Sequence, residues 1–274
     1  MKTILISGCS SGIGYAVAHG LKSRGWRVFA TCRQAGDVAR LAGEGLEVLH
    51  MDVDDSASIH ACVAEVLARS GGKLDALFNN AGYGQPGACE DVRRFAMRAQ
   101  FETNLFGAWE LMNAVLPAMR AQGYGRILYN SSVLGFAAMK YRGAYNASKY
   151  AMEGLCDTLR LELSGSNIHV SLIEPGPIVS RFRPNALAKF LENIDIEASC
   201  HRAAYEAQLA RLQKPGPAAP FTLPESAVLD AVLKALEAKR PAARYRVTVP
   251  THLFWFLKRI LPTRALDALL GRAA

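Results

Sequence analysis

The chain begins with a short apolar run, Lys2-Thr3-Ile4-Leu5-Ile6, that passes directly into Ser7-Gly8-Cys9-Ser10-Ser11-Gly12-Ile13-Gly14. An amphipathic stretch follows from Tyr15 to Arg24, with Val17, Ala18 and Leu21 on its apolar side and Gly25 as a stop. Strand, glycine-rich turn and helix in this order make the N-terminal segment the first unit of a parallel α/β sheet. A helix N-terminus presents free N–H groups, which suit a pyrophosphate, and glycines let the backbone approach it closely. Gly8, Ser10, Ser11, Gly12, Ile13 and Gly14 are therefore the candidate phosphate-binding set. Their G-x-x-x-G-x-G spacing departs from the commoner G-x-G-x-x-G fingerprint.

A second strand, Trp26 to Thr31, ends at Cys32-Arg33. Dinucleotide folds place the adenosine ribose at this strand end, where a carboxylate accepts hydrogen bonds from a free 2′-hydroxyl. No carboxylate stands here. Arg33 offers instead a planar cationic fork for a 2′-phosphate, which favours NADP(H) over NAD(H).

Tyr145 follows Ser132 by thirteen residues, and Lys149 follows Tyr145 by four. Positions i and i+4 share one helix face, so the phenol and the ammonium converge on one ligand. A free tyrosine ionises near pH ~10, and a cation within about 4–6 Å favours the phenolate. The expectation is a tyrosine pulled toward neutral pH and able to exchange a proton with a substrate hydroxyl.

With these residues stand Asn79-Asn80-Ala81-Gly82 after the run Leu74 to Phe78, Asn104-Leu105-Phe106-Gly107, and Pro175-Gly176. Together they resemble the short-chain dehydrogenase/reductase family from about Met1 to Ser180. The resemblance implies that Tyr145 gives a proton to a carbonyl oxygen or takes one from an alcohol. It implies that Ser132 hydrogen-bonds that oxygen, that Lys149 binds the nicotinamide ribose, and that Asn104 holds a water on the proton path. It also implies adenine contacts from Asp52 and Val53, ribose contacts from Asn80, Ala81 and Gly82, and nicotinamide contacts from Pro175, Gly176, Ile178 and Ser180. Ser7 and Ser180 stand where the family often has threonine, each keeping a hydroxyl.

Half of the 274 residues are hydrophobic, enough for a large core in a single domain spanning 1–274. Strands are also expected at Leu46–Met51, Arg126–Tyr129 and Ile168–Ile173, with long helical patterns at about 90–121 and 145–164. The fold class is thus α/β, a doubly wound parallel sheet of the Rossmann kind with helices on both faces. Residues 181–226, with Pro215, Pro217, Pro220 and Pro224 toward their end, read as a substrate lid. Tyr83, Phe136, Met139 and Tyr141 are expected near the carbonyl, favouring an apolar substrate. The expected activity is therefore NADP(H)-dependent interconversion of a lipophilic aldehyde or ketone and its alcohol. The alternative is an NADP-binding sensor or scaffold without turnover.

Six cysteines show no CxxC pair and no Cys/His ligand spacing, so neither a disulfide nor a metal is expected. Residues 239–274 hold eight Lys/Arg against Asp267 and supply +7 of the formal +8, leaving no broad basic surface for nucleic acid. No apolar stretch reaches the ~20 residues of a membrane span, and the first strand leaves no room for a leader, so a cytoplasmic protein is expected. Broad apolar stripes on the helices at 104–121 and 145–164 point to a homodimer or homotetramer. Tyr245–Val249 reads as a seventh, edge strand, followed by a helical extension over about 250–274. Leu253, Phe256, Leu257 and Ile260 of that extension are expected to pack on the lid or a neighbouring subunit. Peripheral contact with an anionic bilayer is the other reading.

Overall fold

The computed structural model describes residues 1–217 and 219–272. Its strands are β1 (Thr3–Ile6), β2 (Arg27–Cys32), β3 (Glu47–His50), β4 (Ala76–Asn79), β5 (Gly125–Asn130), β6 (Ile168–Glu174) and β7 (Arg244–Arg246). They form one parallel sheet in the order β3-β2-β1-β4-β5-β6-β7. The helices are α1 (Gly12–Lys22), α2 (Ala35–Gly43), α3 (Ser56–Ser70), α4 (Arg94–Phe101), α5 (Gly107–Gln122) and α6 (Gly143–Glu162). After them come α7 (Phe182–Asn193), α8 (Arg202–Gln213), α9 (Ser226–Glu237), α10 (Val249–Ile260) and α11 (Thr263–Arg272).

Parallel neighbours need crossover connections, and the alternation of side chains along each strand gives every crossover helix an apolar surface to cover. Leu5, Phe29, Leu77, Ile127 and Leu172 point to one face, where they join Ile59, Val63 and Val66 of α3, Leu111 and Val115 of α5, and Met152 and Leu159 of α6. Ile4, Ile6, Val28, Phe78, Leu128 and Ile173 point to the other, against Val17 and Leu21 of α1 and Val228 and Val232 of α9. Helix α9 was not among the expected elements, although Val228, Leu229, Val232 and Leu236 carry helical spacing. Its Leu229 fits against Gly20 of α1, where a Cβ would lie 2.2 Å from a leucine methyl. Strand order reverses between β1 and β4, and this opens a crevice at the strands' carboxyl ends.

The single helical pattern expected over 90–121 is broken into α4, a π-helical turn at Glu102–Phe106 and α5. Such turns insert one extra residue and redirect side chains. Here the turn carries Asn104, which is fully buried, toward the crevice. The seventh strand is shorter and earlier than expected, Arg244–Arg246, because Pro250 lies in the first turn of α10 and commits Val249 to the helix.

The lid helices α7 and α8 form a satellite core of Ala186, Phe190, Ile194, Tyr205 and Leu212 with Ala88, Val92 and Ala144 beneath. Most of the stripe behind the dimer expectation, Ala108, Leu111, Met112 and Val115 of α5, is buried in the protomer's own core, while Phe106, Trp109, Tyr150 and Leu161 around α5 and α6 are exposed. The expectation for the C-terminal helix is corrected within the protomer. Leu253, Phe256 and Ile260 point to solvent, while Thr251, Trp255 and Lys258 meet the body. No helix among the described residues is long and apolar enough to cross a membrane.

Candidate active site

The glycine-rich turn leaves β1 at Ser7, whose Oγ accepts hydrogen bonds from the N–H groups of Asn80 and Ala81, both at 3.0 Å. Asn80 Nδ2 donates in return to the carbonyls of Ser7 and Gly8, each at 3.0 Å. These bonds weld the end of β4 to the turn. Gly8 takes φ +72°, a left-handed conformation that favours glycine. A Cβ on Gly14 would lie 2.2 Å from the Gly8 carbonyl oxygen and 2.5 Å from Asn80 Nδ2, so no larger residue fits there. Ser11 caps α1 without a side-chain bond, and the first turn holds no acid, which leaves its N–H groups available to an anion. This cradle fits the pyrophosphate of a dinucleotide.

The residues expected on the adenosine side lie at the ends of β2 and β3. Cys32 is buried at the end of β2 and Arg33 is exposed beside it. Arg40 of α2, unanticipated from sequence, donates from Nη2 to the Ser10 carbonyl at 2.6 Å and pairs with Asp37 and Glu44. Asp52 follows β3 and accepts the Asp54 N–H at 3.1 Å, and the Val53 carbonyl abuts Gly107. Gly82 sits against Asn104 Oδ1. On the nicotinamide side, the Pro175 carbonyl accepts the Val133 N–H at 2.8 Å, and Gly176 abuts the hydroxyls of Thr248 and Thr251. Ile178 pairs with Leu223, and Ser180 lies next to Gly12, closing the crevice over the turn.

Ser132, Tyr145, Lys149 and Asn104 come together at the carboxyl end of β5. Lys149 Nζ lies 5.7 Å from the centre of the Tyr145 ring and donates to the Asn130 carbonyl at 2.6 Å. Asn130 Nδ2 in turn donates to Asn80 Oδ1 at 2.9 Å, linking this group to the phosphate end. Asn104 Nδ2 donates to the Tyr83 carbonyl at 3.0 Å and to Ser148 Oγ at 3.2 Å, and its Oδ1 accepts the Tyr83 N–H at 3.0 Å. That bonding leaves one lone pair of Oδ1 without a protein donor. Ser132 Oγ accepts the Leu134 N–H at 3.1 Å and faces the phenol.

The expected direction of the tyrosine shift is corrected. Burial pushes the Tyr145 phenol up to about 12, opposed by the Ser132 hydroxyl and the Arg142 guanidinium. Burial pulls Lys149 down to about 8, against the attraction of Glu153. The cation does not lower the phenol here because its ammonium is committed to the Asn130 carbonyl and both groups are removed from water.

Three neighbours escaped the sequence reading. Phe182, the first residue of α7, stacks edge-on to Tyr145 with ring centres 5.2 Å apart and presses on Gly84. Arg142 flanks the phenol. Glu153 accepts a hydrogen bond from Ser131 Oγ at 2.5 Å and pairs with Arg244 at 3.0 Å. Its position four residues after Lys149 was the available signal, since both lie on one helix face. Tyr141, expected near the carbonyl, stacks instead on His201 and Tyr205 of the lid. Outside the crevice, Glu90, Cys200 and His201 are the group among the described residues able to share a metal, and His201 Nε2 is 2.6 Å from Glu90 Oε1.

Comparison with known proteins agrees with this geometry. A family model described as short chain dehydrogenase matches residues 2–189. The uncharacterized oxidoreductase YbbO of Escherichia coli (strain K12) is 42% identical over 98% of this chain and 94% of its own. Retinol dehydrogenase 8 of Bos taurus is 40% identical over 70% of this chain and 63% of its own. A crystal structure of a short chain dehydrogenase/reductase from Burkholderia phymatum in complex with NAD superimposes with a TM-score of 0.78. It is 26% identical and covers 100% of this chain and 96% of its own.

Proposed function

The chain belongs to the short-chain dehydrogenase/reductase family of NAD(P)-dependent oxidoreductases, and from that premise we propose that it uses NADP(H) to interconvert a lipophilic aldehyde or ketone and its alcohol. The observation that carries this reading is the convergence of Ser132, Tyr145 and Lys149 beneath the aromatic ring of Phe182. When bound, the dinucleotide supplies or accepts the hydride.

Tyr145 moves the proton. Its raised pKa keeps the phenol protonated at neutral pH, which suits donation to a carbonyl oxygen. Ser132 Oγ donates a second hydrogen bond to the same oxygen, holding it against the phenol. Lys149 binds the nicotinamide ribose, while the Ser132 hydroxyl and the Arg142 guanidinium are the groups that favour the phenolate left after proton transfer. Asn104 offers its remaining Oδ1 lone pair to a water that carries the replacement proton from solvent. Asp52, Val53, Asn80, Ala81 and Gly82 line the adenosine half, while Pro175, Gly176, Ile178 and Ser180 line the nicotinamide half.

Two features support a lipophilic substrate. Phe182 sets an aromatic ring against Tyr145 in the crevice, and helices α7 and α8 above are built on their own apolar core. Retinol dehydrogenase 8, one of the relatives, is named for a lipophilic alcohol.

NADP(H) is assigned through Arg33, the exposed cation where a carboxylate would select NAD(H). Replacing Cys32 by Asp and Arg33 by Ser removes the 2′-phosphate's partner and adds a repulsive charge. One lost charged hydrogen bond corresponds to roughly tenfold or more in affinity. Binding titration is expected to show NADPH weakened by at least about that factor, with NADH strengthened. Tighter binding of NADH than NADPH by the unmodified protein would overturn the assignment.

A further inference from the structure

We propose that the solvent face of α10, with the flanking cations of α10 and α11, is a docking surface for an anionic lipid bilayer. Val249, Leu253, Phe256 and Ile260 are 57%, 50%, 52% and 57% exposed. At 100° per residue they fall within about 60° of arc, a single apolar stripe along the whole helix. The opposite side of α10 meets the protein, with Phe254 and Trp255 partly buried and the Trp255 ring 4.0 Å from the Arg246 guanidinium. Thr251 is buried in a hydroxyl pair with Thr248 at 3.0 Å, and Lys258 Nζ donates to the Phe136 carbonyl at 2.6 Å. The helix is thus held to the protein through Thr251, Trp255 and Lys258 and leaves its apolar stripe facing outward.

Charge selects the occupant. Besides Lys258, which is turned to the Phe136 carbonyl, residues 249–272 carry Arg259, Arg264 and Arg272 against one acid, Asp267. Arg259 is exposed at the edge of the stripe, stacked on the Trp255 ring at 3.9 Å, and Lys140 reaches the last turn of α11 at Gly271. An apolar stripe with a cationic rim matches the acyl boundary and anionic headgroups of a bilayer. A second copy of the chain fits less well. In a two-fold contact the same patch faces itself, which would set these cations against each other. The surface adjoins the active site, because α10 touches both the loop after Ser132, through Phe136, and Gly176 on the nicotinamide side. A bilayer held there would lie beside the entrance for a lipophilic substrate; this last consequence alone rests on the proposed function.

The test is co-sedimentation of the full-length protein with vesicles of one part phosphatidylglycerol to two parts phosphatidylcholine, in parallel with pure phosphatidylcholine. The partner variant carries Leu253→Ser, Phe256→Ser and Ile260→Ser, all on the exposed stripe, and circular dichroism checks that it is folded. Binding to the anionic vesicles is expected, weakened at high salt, and lowered at least about tenfold in the variant. Failure of the full-length protein to pellet, or equal pelleting of the folded variant, would overturn the proposal. So would sedimentation velocity showing that the three substitutions dissociate a dimer while neither protein binds vesicles. None of these readouts depends on the substrate or on turnover.

Discussion

Changing Tyr145 to Phe is expected to lower turnover by at least ~10²–10⁴, the span typical of a general acid, while leaving the fold and NADPH binding intact. Only one hydroxyl is removed. The ring keeps its edge-on packing against Phe182, and Lys149 keeps its bond to the Asn130 carbonyl. Thermal unfolding and NADPH titration should therefore match the unmodified protein, and the whole loss should appear in the rate. Turnover within about tenfold of the original would remove Tyr145 from the role of proton donor.

The largest effect on stability is expected from Arg244→Met. Arg244 pairs with Glu153 at 3.0 Å, Asp157 at 2.8 Å and the fully buried Glu174 at 3.1 Å. Losing one partner of a buried ion pair costs about 3–5 kcal/mol, because a charge is left without compensation. For a chain of this size that is a fall of roughly 10 °C in Tm. The pH dependence has a definite sign. Burial and Glu153 already push Glu174 up to about 7, with Arg246 and Arg244 pulling the other way. Without Arg244 the folded carboxyls hold their protons to higher pH than the unfolded ones, so stability falls as pH rises above the unfolded value of about 4.5. The deficit relative to the unmodified protein should therefore shrink from about pH 8 to about pH 5. Because Glu153 accepts from Ser131, next to Ser132, turnover should fall as well. A Tm change of only a few degrees, or a deficit that grows on acidification, would contradict this account.

The parts of the site legible in the sequence were those set by local geometry. The glycine-rich turn must leave a strand and enter a helix within a few residues, and Tyr145 and Lys149 share a face because helical spacing puts them there. The parallel sheet with helices on both faces likewise followed from alternating strands and helices. Longer-range features were hidden. Phe182 reaches Tyr145 only because the lid folds back over the crevice, and no local pattern encodes that contact. Asn104 was found, but not the π-helical turn that delivers it, since one inserted residue leaves no mark on apolar periodicity. The shift of Tyr145 was misjudged because spacing shows the nearby cation but neither the depth of burial nor the competing Asn130 carbonyl. The stripe on α10 was read as a packing face because apolar helix faces usually are. The surface beneath α10 presents a main-chain carbonyl at Phe136, the hydroxyl of Thr248 and the Arg246 guanidinium, which take Lys258, Thr251 and Trp255 rather than the stripe.

The central claim, an NADPH-dependent reductase for lipophilic carbonyls, is tested most directly by following cofactor absorbance with NADPH and NADH against a graded panel. The panel runs from short aldehydes through long-chain aldehydes to retinoid and steroid ketones, with polar sugars and hydroxy acids as controls. The expected result is oxidation of NADPH in preference to NADH, with kcat/KM rising as the apolar part of the carbonyl grows and vanishing in the Tyr145→Phe protein. Turnover confined to the polar controls, a preference for NADH, or no turnover of any carbonyl by a folded protein that binds NADPH would contradict it.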